Sequence, residues 1–356
     1  MKAVLLNGHG GFERLEYRDD VPVAAPRAGE VLVRVGAAGV NNTDINTRTA
    51  WYSRSVSEGT TAQAGASGIA EARSEDAGWT GAPPNFPRIQ GADACGRIVA
   101  VGDGVDARRI GERVLVEPVF RMTDDRGRPH VIYFGSECDG AFAEFAAVPA
   151  VHAHAVTCGL TDAELASFPC AYSAAENMLT RLNLKAGETV LVTGASGGVG
   201  SAAVQLARRR GATVLGVASA AKSAAVASLG AARVIAPDAD PVTEFGRETI
   251  DAVVDVVGGA RFPAQLEVLR RGGRYAVAGA IAGPIVELDL RTLYLKDLRL
   301  LGCTVLEAEV FGHLVGYIER GEIKPLVAGI HPLANIVLAQ QEFLSKRLMG
   351  KIILVP

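Results

Sequence analysis

From about residue 157 onward, short apolar runs alternate with stretches of helical period. The runs at 189–193, 213–218, 233–236, 252–257, 274–278 and 298–305 have the length and near-continuous apolarity of strands buried on both faces. Between several of them, apolar residues recur at three- and four-residue spacing, which predicts helices over 201–210, 220–229 and 261–270. Strand and helix in alternation predict an α/β fold with a doubly wound parallel sheet.

The first part of the chain has a different texture. Segments 2–7, 30–35, 96–101 and 113–119 are short and β-like, and turns such as Gly102-Asp103-Gly104 divide them. They predict an irregular, mostly antiparallel region. Residues 51–86 interrupt it: 55–78 is rich in Ser, Gly, Ala and Thr with no sustained period, and reads as a long, mobile surface insertion. A plain linker and a lid over a pocket both fit it, with Trp51, Tyr52 and Trp79 at its ends favouring the lid. Past Leu306, helical stretches at 311–320 and 335–347 precede a terminal strand, Lys351–Val355. This tail is expected to return to the first domain, which gives 1–156 with 307–356 as one domain and 157–306 as the other.

Composition narrows the classes. A length of 356 residues suits two domains, and 49% hydrophobic with 21% charged residues is the balance of a soluble globular protein. A net charge of −3 provides no basic field for nucleic acid. The longest apolar runs are far short of a membrane span, and the first eight residues do not read as a signal peptide. Five scattered cysteines with no CxxC pair suit a reduced, cytoplasmic chain.

The candidate chemistry centres on Thr193-Gly194-Ala195-Ser196-Gly197-Gly198-Val199-Gly200, between an apolar run and a helical pattern. Glycines let backbone turn tightly and approach a pyrophosphate, and the helix N-terminus offers unpaired N–H groups. Gly194, Ala195, Ser196, Gly197, Gly198 and Val199 are the candidate dinucleotide contacts, and a Gly-rich turn without ligand is the alternative. An NAD site wants a carboxylate at the end of the next strand. Ser219 stands there instead, no Asp or Glu occurs from Gly194 to Pro237, and Lys222 follows one helical turn later. A hydroxyl and an ammonium suit a 2′-phosphate, which points to NADPH; an N-cap serine and a solvated lysine are the alternative. Gly279-Ala280 ends a strand at the sheet's C-terminal edge, where a nicotinamide is expected.

These residues, with 29–35, Ala38-Gly39-Val40-Asn41, 89–93, 96–102, 111–114, 140–145 and Gly350-Lys351-Ile352, resemble the medium-chain dehydrogenase/reductase superfamily. The nearer likeness is to its zinc-independent quinone oxidoreductase branch. The resemblance implies a GroES-like catalytic domain wrapped around a Rossmann domain, with the active site in the cleft between them. It also implies where zinc-dependent relatives hold a catalytic metal. At the first of those positions this chain has Asn41, and at the second Ala92 of Gly91-Ala92-Asp93; only Cys170 matches the third. One thiolate and Asp93 make a poor zinc set, so no catalytic metal is expected. Cys170 is then a small buried residue or part of the site wall.

Without a Lewis acid the acceptor must delocalise its own charge, as a quinone or an α,β-unsaturated carbonyl does. Asn41 is a candidate to hydrogen-bond the carbonyl or the nicotinamide ribose, or else a structural polar group. Thr43 matches a relay hydroxyl, or with Asp44 caps the following helix. Asn46 stands where the branch often has a tyrosine, and Tyr52 is a candidate to substitute for it. Lys351 resembles a pyrophosphate contact, and a surface lysine fits as well. Two other readings stand: metal-free alcohol or aldehyde chemistry with Thr43 as acid, and an NADPH-binding protein without turnover. The outer strand at 298–305 would be an open edge, so a homodimer paired through it is expected.

Overall fold

Strand Glu30–Gly39 anchors the first half of the chain. Val31, Val33 and Val35 alternate into the core, and the strand pairs antiparallel with Cys95–Val101, Phe145–Pro149 and Lys351–Val355. Phe120, Phe134, Phe142, Val148, Ile352 and Leu354 complete the apolar interior. Gly39 must be small, because a Cβ there would stand 2.5 Å from Asp93 Oδ2 and 2.8 Å from the Ala166 carbonyl. This is a computed structural model describing residues 1–124 and 126–356. It divides the chain into a unit of Met1–Val56, Thr61–Cys170 and Val315–Pro356, and a unit of Ser57–Thr60 and Ala171–Leu314. The tail does return to the first unit: Lys351–Val355 lies between Val327–Pro332 and Glu30–Gly39.

The second unit carries six strands: β1 (Thr189–Val192), β2 (Thr213–Val217), β3 (Arg233–Ile235), β4 (Ile250–Asp255), β5 (Leu269–Val277) and β6 (Arg299–Gly302). They are all parallel, in the order β3-β2-β1-β4-β5-β6. That is the Rossmann order, and it reverses between β1 and β4, where dinucleotides bind at the carboxyl ends of the strands. Helix α1 (Gly198–Arg209) leaves β1, and α2 (Ala220–Ser228) leaves β2.

Two expectations need correction. The helix expected over 261–270 is a 3-10 turn, Gly259–Arg261, followed by a helix that ends at Val268. Leu269 already pairs with Ile250, so Arg270 and Arg271 belong to β5, with their long side chains exposed. The insertion, where no sustained period was expected, contains helix Ala62–Ser67, whose cap Thr61 accepts from the Ala64 N–H at 3.0 Å. Gly65 seats that helix against Leu344, because a Cβ would stand 2.6 Å from the leucine's methyl carbons. No helix among the described residues is long and apolar enough to cross a membrane.

Candidate functional site

Helix Asn42–Thr49 follows strand Glu30–Gly39 and is polar at every position but Ile45, yet Asp44, Asn46, Thr47, Arg48 and Thr49 are buried with it. Asp44 and Arg48 are held by specific partners. The Asp44 carboxylate accepts the Asn41 N–H at 2.7 Å, closing the first turn. Arg48 donates to Gln340 Oε1 (3.0 Å), the Gly10 carbonyl (2.9 Å) and the Gly65 carbonyl (2.6 Å), over the ring of Phe12. A buried guanidinium is tolerable only when its donors are satisfied in this way.

Asn41, Asp93 and Lys351 form one knot in front of this helix. Lys351 Nζ is 2.6 Å from Asp93 Oδ2 and donates to Asn41 Oδ1. Asn41 Nδ2 donates to Asp93 Oδ2 at 2.8 Å and to the Gly39 carbonyl at 3.3 Å. Asp93 Oδ1 accepts the Cys170 N–H at 2.6 Å. Burial, with Asp93 adding like charge, pushes the Asp44 carboxyl up to about 7. Burial and the same carboxylate push the Cys170 thiol up to about 12, away from the thiolate that a nucleophile or metal ligand requires.

Three predicted residues meet beside the knot. Tyr52 donates its hydroxyl to Thr43 Oγ1 at 3.2 Å and hydrogen-bonds the Asn46 side chain. Burial keeps the phenol protonated far above its ordinary range. Tyr52 also heads an aromatic row: Trp79 stacks on it at 5.8 Å between centroids, and Tyr133 stacks on Trp79 at 4.1 Å. The aromatic ends of the insertion therefore lie against one another, a proximity that the low-complexity sequence between them conceals.

In the second unit, the glycine turn is tight and closely packed. Gly194 has φ +56°, and a Cβ on Gly200 would stand 2.1 Å from the Gly194 carbonyl. Gly197 caps α1 without a side-chain hydrogen bond, and Gly197 and Gly198 are exposed at its N-terminus. Ala195 is buried, with its N–H bonded to the Val217 carbonyl, while Ser196 and Val199 are half-buried beside the glycines. Ser219 is exposed at the N-cap of α2 and makes no side-chain cap bond; Lys222, half-buried, donates its N–H to the Ser219 carbonyl. Burial lowers the Lys222 pKa. Gly279 and Ala280 are half-buried just past the end of β5. The insertion's Thr60 N–H bonds the adjacent Ile281 carbonyl at 3.0 Å.

Asn41 is only 7% exposed, and its amide is hydrogen-bonded to Asp93, Gly39 and Lys351, as its structural alternative requires. Lys351 is neither a surface lysine nor an open phosphate ligand, because its ammonium is buried against Asp93. Its pairing joins residues too far apart in sequence for local pattern to reveal.

Residues 27–157 match the alcohol dehydrogenase GroES-like domain family, and residues 198–320 match the zinc-binding dehydrogenase family. The chain is 31% identical to an acryloyl-coenzyme A reductase of Metallosphaera sedula, over 99% of both chains. It is 28% identical to a quinone oxidoreductase of Rattus norvegicus, over 100% of this chain and 98% of the other. Among solved structures, a Sinorhizobium meliloti 1021 protein provisionally named an alcohol dehydrogenase is 48% identical. It superposes with a TM-score of 0.87, over 100% of this chain and 96% of that one.

Proposed function

The chain belongs to the medium-chain dehydrogenase/reductase superfamily and is a nicotinamide-dependent oxidoreductase, and we propose that it uses NADPH to reduce a conjugated carbonyl without a catalytic metal. The substrate class is a quinone or an α,β-unsaturated ketone or aldehyde. The observation that carries this reading is the Lys351–Asp93 ion pair. Where zinc-dependent relatives gather metal ligands, this chain has Asn41, Ala92 and a buried ammonium. A divalent cation beside that ammonium would meet direct repulsion.

When bound, NADPH would supply the hydride, and the far carbon of a conjugated acceptor would take it while the carbonyl oxygen takes the displaced electron pair. The acceptor spreads the charge that an isolated ketone would leave as a localised alkoxide. The hydroxyls of Thr43 and Tyr52, already hydrogen-bonded to each other, hold the proton that completes the reduction. Asn46 orients the Tyr52 hydroxyl. In the second unit, Gly194 to Val199 take the pyrophosphate, Ser219 and Lys222 the 2′-phosphate, and Gly279 and Ala280 the nicotinamide. Five free cysteines suit a reducing, cytoplasmic setting.

The 48% identity to the S. meliloti protein favours a second reading, oxidoreduction of simple alcohols and aldehydes. One experiment separates the two. Turnover with NADPH is measured on a quinone, an enone and a simple ketone, before and after dialysis against a strong chelator. Quinone or enone reduction that survives chelation supports the proposal. Zinc-dependent turnover of the simple ketone, lost on chelation and restored by zinc, overturns it in favour of alcohol chemistry. Tight NADPH binding with no turnover on any acceptor would leave a binding protein.

A further inference from the structure

Glu117 follows strand Arg113–Val116 and is fully buried. The strand Ala153–Ala155 lies antiparallel beside it, with His154 in register with Leu115. The His152 carbonyl accepts the Glu117 N–H at 2.9 Å, which fixes the alignment. Two histidines, two residues apart, thus address one carboxylate oxygen: His152 Nδ1 is 2.8 Å and His154 Nε2 is 3.3 Å from Glu117 Oε2. The other oxygen, Oε1, accepts from Arg121 Nη1 at 2.6 Å, and Arg121 Nη2 is 3.3 Å from Oε2. Phe120 stacks on the His152 ring.

We propose that Glu117 Oε2, His152 Nδ1 and His154 Nε2 bind a divalent transition metal of the zinc class, in a structural site separate from the reduction chemistry. The three donor atoms lie within 4.8 Å of one another. Bonds of about 2.0–2.1 Å to a tetrahedral zinc separate neighbouring ligand atoms by about 3.3 Å, a spacing these donors approach. His152 Nε2 is 3.4 Å from the Arg121 carbonyl, and the tautomer that donates there leaves Nδ1 a lone pair for a metal. Arg121 anchors Oε1 and so aims Oε2 at the imidazoles, the support that outer partners give ligating carboxylates. Water completes the coordination. Arg121 and Phe120 belong to hairpin strand Val119–Thr123, which pairs with Pro129–Tyr133, so the metal would brace the hairpin that carries Tyr133 of the aromatic row.

The test uses the full chain, stripped by chelator and titrated with Zn²⁺ and Co²⁺ at neutral pH. The expected result is one ion per chain, a raised thermal midpoint, and Co²⁺ d–d bands with no thiolate charge transfer. His154→Ala, a change at a half-exposed side chain, should weaken binding at least as much as the roughly 10–100-fold lost with an outer partner. His154→Gln serves if the alanine variant folds poorly, and Cys170→Ala should bind like the parent. Absence of uptake, uptake unchanged in both His154 variants, or a thiolate band lost in Cys170→Ala would each overturn the proposal.

Discussion

The Lys351 ammonium stands 2.6 Å from Asp93 Oδ2, in a place where the lysine side chain is 6% exposed and the aspartate side chain 0%. Removing one partner of such a pair leaves an uncompensated buried charge, which costs about 3–5 kcal/mol. Lys351→Met should therefore destabilise the first unit by about that much in urea unfolding. The double variant Lys351→Met with Asp93→Asn should recover a large part of the loss. A single variant within about 1 kcal/mol of the parent would show that the pair is not a buried charge couple.

Stability should depend on pH in two opposite ways. Asp44 is held up near about 7 by burial, well above its unfolded value, so the native state retains a proton the unfolded chain gives up. Its contribution is complete below about pH 4 and is lost as pH rises to about 7. Glu117 is the reverse. Although burial opposes the charged form, bonds from His152, His154 and Arg121 hold its pKa down to about 2, so its contribution is present above about pH 4 and lost as pH falls toward 2. Unfolding free energies from pH 3 to 8 should reveal both slopes, and Asp44→Asn should remove only the upper one. An unchanged upper slope in that variant would assign it elsewhere.

NADPH should bind more tightly than NADH. Ser219 ends the turn after β2, no Asp or Glu occurs from Gly194 to Pro237, and Lys222 follows one helical turn later. Lys222→Ala should cost NADPH about 1.5–3 kcal/mol, the contribution of a charge-assisted bond, and leave NADH nearly unaffected. Dissociation constants from fluorescence titration decide it: comparable affinities in the parent would refute the preference.

Tyr52→Phe and Thr43→Ala should each lower kcat by about 10²-fold while leaving NADPH affinity in place, because a positioned proton donor contributes on that scale. The two losses should not add, since the hydroxyls share one hydrogen bond. Steady-state kinetics on a quinone and an enone measure this. Rates within about threefold of the parent would take the proton path away from these residues.

The chain should be a homodimer. β6 is the outer strand of the parallel sheet, and Tyr294, Leu295 and Leu300 are exposed beside or on it. An uncovered strand edge with apolar neighbours invites pairing with a second copy. Sedimentation at micromolar concentration should give a dimer, and Leu300→Lys should shift it toward monomer. A monomeric parent would exclude the edge as an interface.

What the sequence made legible follows the range of the interactions. The Rossmann unit announces itself because each strand, glycine turn and helix is encoded within about 30 residues. Thr43, Asn46 and Tyr52 fall within one helix and its exit, so their meeting was also within reach. Helix Asn42–Thr49 was not: its composition is that of a surface helix, and only distant partners such as Gln340 and Gly65 make Arg48 a core residue. The same holds for Lys351 and for the two histidines facing Glu117. Long-range polar pairs leave no periodic trace, because specificity resides in geometry and not in residue type.

The return of the tail has a consequence for the order of events in synthesis. Asn41 and Lys351 are 310 positions apart, and the second unit lies wholly between strand Glu30–Gly39 and strand Lys351–Val355. A nascent chain can assemble the entire nucleotide sheet while the first unit still has a carboxylate waiting for its cation and a strand edge waiting for its neighbour. Domains usually fold as they emerge, but here the earlier-begun unit must finish last. Until residue 351 clears the ribosome, Asp93 lacks its cation and the Ala38–Gly39 end of strand Glu30–Gly39 lacks its neighbour, and that interval is when the chain most needs protection from aggregation.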